Sequence, residues 1–253
     1  MGGQKPRVAF FDFACCEGCQ LTVVQLEEGL LDVVKHVDIV TFREAMTEKS
    51  DDYDVAFVEG SITRPADIPR IEKIRERAKV LVALGACATL GGVNCLKNRF
   101  PMEEAMEVVY GKDAGYFETF PARPVDAVVQ VDYYIHGCPI NPNEFLKVFH
   151  SILQGRPYAV PDRPVCVECR LKENVCLLEK GLTCMGPVTR AGCEALCPSH
   201  GTYCFGCRGL VSEPNRDSES HLLQIHGLTP EEVAGRFDIY THGGYPARKG
   251  VAA

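Results

Sequence analysis

Five short apolar runs mark out the first part of the chain: RVAFFDF (7–13), VDIVTF (37–42), VAFVEG (55–60), VLVALGAC (80–87) and YYIHGCP (133–139). Each is nearly continuous in its hydrophobicity, the pattern of a parallel strand covered on both faces. Between them apolar residues return at helical spacing, in GCQLTVVQLEEGLLDVVKHV (18–37), in IPRIEKIRERAK (68–79) with Ile71 and Ile74 three apart, in PMEEAMEVVY (101–110) with Pro101 at the first turn, and in NEFLKVFHSILQG (143–155). Strands alternating with helices predict an α/β domain over residues 1–160, a doubly wound parallel sheet of the flavodoxin-like kind. The rhythm then stops. Residues 161–253 read as an irregular, cysteine-rich module with C-terminal helices, of which TPEEVAGRF (229–237) is clearly announced, with Thr229 as N-cap, Pro230 at the first helical position and Glu232 completing a capping box. The tail THGGYPARKGVAA (241–253) has little apolar content and is predicted to be mobile or pressed against a partner.

Composition agrees with a soluble globular protein: 253 residues, 46% hydrophobic and 24% charged. No run of 18 or more apolar residues could span a bilayer, and the start lacks the apolar stretch and cleavage site of a signal peptide, so a cytoplasmic, non-membrane protein is expected. Pro6 stands where a myristoylation signal needs Ser or Thr. Twenty-seven basic against 34 acidic residues leave a formal charge of −7, which argues against nucleic acid as a partner. The 14 cysteines change the picture most. In a reducing compartment a disulfide framework is disfavoured, and metal binding is the better use for so many thiols.

Their placement divides them into two kinds of site. Ligands of doubly wound sheets collect beyond the carboxyl ends of the strands. Cys16 and Cys19 follow the first strand, Cys87 ends the VLVALGAC run and Cys138 ends YYIHGC, so these four can meet at one edge as a tetrahedral thiolate set. Buried core thiols are the alternative for Cys87 and Cys138. A nucleotide or flavin site is disfavoured, because the first βα loop carries ACCEGC and neither a P-loop nor a G-x-G-x-x-G motif is present. Eight further cysteines follow, as C-x2-C-x6-C-x7-C over 166–184 and C-x3-C-x6-C-x2-C over 193–207. Two sets of four are implied. The segment is too poor in apolar residues to fold on a core of its own, so bound metal must supply folding energy, as iron–sulfur clusters or as zinc. Cys197-Pro198 tilts the choice toward iron–sulfur.

DFACCEGCQL, VEGSITRP, LGACATLGG, HGCPINP and the eight-cysteine segment, in this order, resemble the electron-transferring small subunit of nickel–iron hydrogenases, over residues 7 to about 240. The likeness is to the cytoplasmic, multimeric branch, which couples dihydrogen to NAD(P), a deazaflavin or a heterodisulfide reductase. It implies a proximal [4Fe–4S] cluster on Cys16, Cys19, Cys87 and Cys138, facing the large subunit that holds the nickel–iron site. It further implies a distal set (Cys166, Cys169, Cys176, Cys184) and a medial set (Cys193, Cys197, Cys204, Cys207), and so three [4Fe–4S] clusters, no catalytic residue on this chain, and a further iron–sulfur or flavin acceptor subunit as partner. Membrane-bound relatives use a distal His and often a medial Pro where Cys166 and Cys197 stand here, and they carry a twin-arginine signal and a membrane anchor that this sequence lacks. An oxygen-tolerant proximal cluster is not expected, since Gly18 occupies the place of one of its extra cysteines.

The remaining thiols, Cys15 and Cys95, are expected to be structural, with Cys15 turned away from Cys16 if strand alternation persists. Glu17 and Glu59 are expected as solvated or salt-bridged loop carboxylates, with proton transfer or docking as the alternative. His136 reads either as a satisfied core histidine or as a hydrogen-bond donor to a cluster sulfur. Two other functions compete: a zinc-stabilised, non-redox interaction module, and an electron relay beside a large subunit without nickel–iron ligands, as in relatives of respiratory complex I, which however lack the second cysteine module.

Overall fold

The computed structural model describes residues 5–241, so all but the first residue of the tail considered above lies outside them. The chain divides into two compact units, one ending at Ala159 and the other beginning at Val160.

The first unit is built on five parallel strands, β1 (Arg7–Asp12), β2 (Asp38–Phe42), β3 (Val55–Glu59), β4 (Val80–Leu84) and β5 (Tyr133–Ile135), in the order β2-β1-β3-β4-β5. This is the flavodoxin-like order, and its switch point lies between β1 and β3. Side chains alternate across the sheet. Val8, Phe10, Phe57, Val82 and Leu84 enter one core, where Phe10 stacks on Phe42 and Phe57 at centroid distances of 4.3 and 4.9 Å, while Ala9, Ala56, Val58, Leu81 and Ala83 enter the other. Burial on both faces is why the strands read as unbroken apolar runs.

Helices close the two faces: α1 (Gly18–Val24), α2 (Glu28–His36), α3 (Asp67–Arg77), α4 (Gly85–Leu90), α5 (Met102–Tyr110) and α6 (Pro142–Leu153). The helix expected over 18–37 is two helices, because Glu27 sits at φ 51° and interrupts it. The apolar run 80–87 is a strand only to Leu84; Gly85, at φ 81°, turns the chain into α4, so Cys87 is helical. Asn141 caps α6 by accepting the Glu144 N–H at 3.0 Å, with Pro142 in the first turn.

In the second unit, α7 (Val165–Leu171), α8 (Leu196–Ser199), α9 (Arg216–Ile225) and α10 (Pro230–Asp238) surround a small core of Val165, Met185, Val188, Leu223 and Val233. The capping box of α10 is present: Thr229 Oγ1 accepts the Glu232 N–H and Glu232 Oε2 accepts the Thr229 N–H. Of the C-terminal helices expected, only α10 is placed by the sequence pattern; α9 precedes it, capped by Asn215, which accepts the Ser218 N–H at 3.0 Å.

Asp54 ties the amino ends of three strands together. Its carboxylate accepts the Arg7 N–H at 2.8 Å and pairs with Lys79 at 2.7 Å, and its carbonyl accepts the Val80 N–H. The Arg7 hydrogen bond first, and Lys79 second, hold its carboxyl below the ordinary carboxylate range. The resulting stability is present above that range and is lost as pH falls through the lowered value. Asp54→Asn is therefore expected to melt earlier than the parent at neutral pH, with the difference narrowing as the buffer is taken down toward pH 3; thermal melts across that series check it.

Candidate metal centres

The loop leaving β1 stays tied to the end of β3. Phe13 N–H donates to Glu59 O at 2.8 Å, Ser61 N–H to Ala14 O at 3.0 Å, and Asn94 Nδ2 grips Ala14 O and Ser61 Oγ at 2.7 and 2.8 Å. Cys15 and Cys16 lie on this loop, and Cys19 on α1. The start of α4 is joined to the loop after β5 by the Ala86 N–H, which donates to Gly137 O at 2.7 Å, so the segments bearing Cys87 and Cys138 are hydrogen-bonded neighbours. Gly85 is required here twice over: its φ is 81°, and a Cβ would run into the Cys19 sulfur. Gly92, at φ 64°, leaves room for the Cys87 sulfur, which a Cβ would meet at 2.6 Å.

Cys16, Cys19, Cys87 and Cys138 are thus gathered at the carboxyl edge of the sheet. Cys19 is buried, Cys87 half-buried, and Cys16 and Cys138 exposed. Burial raises the Cys19 thiol well above its ordinary range, with Glu59, Cys87 and Cys138 adding to it. Cys87 is pushed up to about 12, by burial first and then by Cys138, Cys15, Glu59 and Cys16. Thiols so placed ionise only when a cation compensates, which a metal centre does.

The neighbouring residues differ in part from their expected roles. Glu59 is no solvated loop carboxylate: it ends β3, is 2% exposed, and accepts the N–H groups of Cys19 (3.1 Å) and Gln20 (3.0 Å), fixing the turn of α1 that carries a cysteine. Burial nonetheless raises its pKa. Glu17 is salt-bridged to Arg43, as the simpler reading had it. β1 ends at Asp12, so strand alternation does not reach Cys15; that thiol is half-buried and close enough to Cys87 to raise it. Cys95 is buried, its sulfur 3.5 Å from Ala122 O. His136 is buried with Nδ1 2.9 Å from Thr89 Oγ1, on the helix that bears Cys87.

In the second unit Cys166 and Cys169 occupy successive turns of α7. The sulfurs of Cys166 and Cys184 flank Gly186, where a Cβ would lie 3.4 and 3.3 Å from them. Cys166 is pushed up to about 12 by burial and then by Cys184, Cys169 and Cys176, so these four share one neighbourhood. Cys204 is buried, feels Cys207 and Cys184, and donates its N–H to the Cys184 sulfur at 3.4 Å. Cys197 is on α8, and Cys193 precedes it on a loop. Glu219 of α9, not singled out in the sequence, is 2% exposed, raised to about 7 by burial, and raises Cys166 and Cys184 in turn.

Among the described residues no three Cys, His, Asp or Glu side chains are placed to hold a single metal ion. Every one of these sets is all-thiol, a donor chemistry that zinc and iron–sulfur clusters share.

Residues 16–152 match the family described as NADH ubiquinone oxidoreductase, 20 Kd subunit. The sulfhydrogenase 2 subunit delta of Pyrococcus furiosus is 38% identical, over 92% of this chain and 98% of its own. An iron-sulfur subunit of the F420-non-reducing hydrogenase of Archaeoglobus profundus is 29% identical, over 83% of this chain and 84% of its own. A chain of an NAD+-reducing [NiFe]-hydrogenase, solved in the H2-reduced state, superposes with a TM-score of 0.57 at 25% identity and covers 62% of this chain and 96% of that one.

Gly85→Ala is expected to displace the Cys19 sulfur and strip metal from the first unit while the second unit keeps its own; iron analysis beside the parent, with circular dichroism to verify folding, measures it.

Proposed function

The chain belongs to the small-subunit family of the cytoplasmic nickel–iron hydrogenases, and on that premise we propose that it relays electrons between a nickel–iron site on a large subunit and an iron–sulfur or flavin acceptor subunit, through three [4Fe–4S] clusters. It is the iron–sulfur small subunit of a multisubunit nickel–iron hydrogenase complex.

In this reading residues 1–160 hold the proximal cluster on Cys16, Cys19, Cys87 and Cys138. Residues 161–253 hold the distal cluster on Cys166, Cys169, Cys176 and Cys184 and the medial cluster on Cys193, Cys197, Cys204 and Cys207. When bound, each cluster supplies a one-electron carrier whose thiolate shell changes little between oxidation states. The chain's own residues do the rest. Glu59 fixes the start of α1 and with it Cys19; the Ala86–Gly137 hydrogen bond fixes Cys87 against Cys138; the exposure of Cys16 and Cys138 leaves that edge open toward a partner, as electron exchange requires. Dihydrogen activation belongs to the large subunit, and no side chain here takes part in it. We place the chain in the cytoplasm, away from nucleic acid, the formal charge of −7 suiting the latter; no helix among the described residues is long and apolar enough to cross a membrane.

The observation that carries the proposal is the gathering of four cysteines from three separate strand–helix connections at one sheet edge. Its test is anaerobic iron, sulfide, nickel and zinc analysis of the purified complex with EPR before and after dihydrogen. About 12 irons for this chain, after those of partner subunits are subtracted, with signals appearing under dihydrogen, are expected. Zinc at about three per chain with no reducible signal would overturn it. Within the loaded complex, Cys197→Pro is expected to convert one four-iron signal to a three-iron form; an unchanged spectrum would remove Cys197 from the ligand set.

A further inference from the structure

Of the buried charged side chains of the second unit that belong to no ligand set, Glu168 and Arg208 both close on the loop that presents Cys193. Glu168 stands between Cys166 and Cys169 on α7 and is 8% exposed. Its Oε1 accepts the Gly192 N–H at 2.8 Å and its Oε2 the Ala195 N–H at 3.1 Å. Those amides straddle Cys193, whose sulfur lies 3.9 Å from Oε2. Arg208 follows Cys207, is 0% exposed, and donates from Nε to Ala191 O at 2.8 Å, two residues ahead of Cys193. The Cys193 thiol feels both, Glu168 raising it and Arg208 lowering it, beneath the larger effect of burial.

The two groups do opposite things at one place. The Glu168 carboxylate supplies hydrogen bonds that hold the loop in shape, including Ala195 at φ 52°, yet it sets a negative charge beside a sulfur that must itself be negative to bind metal. In an interior that screens weakly, such a pair needs a counter-charge. A guanidinium keeps its charge at every working pH, and Arg208 holds the same loop through the Ala191 carbonyl.

We propose that Glu168 and Arg208 act as opposed fixed charges on the Cys193 loop, positioning that ligand and together setting the reduction potential of the cluster it serves. This rests on the reading of Cys193 as a cluster ligand. Reduction adds an electron, so the cation of Arg208 favours the reduced cluster and the anion of Glu168 favours the oxidised one.

The experiment is a mediator-controlled redox titration of the anaerobically purified complex, followed by EPR, with iron and sulfide counted beforehand. In Glu168→Gln the reduced-to-oxidised ratio of one cluster, at fixed potential, is expected to rise about tenfold, which is 59 mV for one electron. Arg208→Gln is expected to move the same cluster by a similar factor the other way, and Arg208→Lys, which keeps the charge, to stay within about threefold of the parent. Shifts in the same direction, or none, in fully loaded variants overturn the inference. Should Arg208→Gln lose iron from one site, recovery of that iron in the double variant with Glu168→Gln supports opposed charges, and continued depletion overturns them. A parent complex short of iron overturns the three-cluster reading and the inference with it; a loaded parent whose variants do not split in sign overturns the inference alone.

Discussion

Chain direction is the constraint from which the rest of the first unit follows. Because all five strands run parallel, every connection that leaves a strand does so at the same edge, and each must travel back over a face of the sheet before the next begins. Residues as far apart in sequence as Cys16 and Cys138 therefore share a neighbourhood without any contact having been needed to bring them together. The hydrophobic alternation between two cores makes the edge rigid, and hydrogen bonds from one loop to the next, Phe13 to Glu59 and Ala86 to Gly137, set its finer geometry.

Among its described residues the second unit has no such frame. Its core is a handful of side chains, and most of its length runs through turns. Buried charge takes over some of the organising work that a sheet does in the first unit. Glu168 orders a loop through two backbone amides, and Arg208 holds the same loop through a carbonyl. Such groups are stable inside a protein only when their partners are in place, so the loop is specified as well as stabilised.

The sheet was legible in the sequence because strands covered on both faces must be apolar throughout, and the edge position of Cys16, Cys19, Cys87 and Cys138 followed from topology. What escaped the pattern was set by tertiary surroundings. Hydrophobic periodicity runs straight through Glu27, which carries neither Gly nor Pro to mark the break between α1 and α2. Gly85 did signal the end of β4, but within an apolar run that continues to Cys87 it reads as part of the strand. Nothing local distinguishes Glu59, whose partners are amides forty residues earlier, from a solvated acid. The same holds for Glu168 and Arg208, whose burial depends on segments distant in sequence. The Asn215 cap of α9 was available as a signal, but the helix buries only Glu219 and Leu223 and leaves little periodicity to find.

The buried thiols bear on how the protein is made. Before metal arrives their protons are held tightly, by burial first and by one another second, so the newly synthesised chain is close to neutral at these positions. In the proposed three-cluster reading, loading reverses this: each ligand gives up its proton, and each four-iron cluster leaves about two negative charges behind. Maturation is thus a proton-releasing, charge-building event, favoured by alkaline and opposed by acidic surroundings. At the buried thiols, Cys87 and Cys166 among them, a protonated apoprotein is chemically quieter than the number of cysteines alone would suggest.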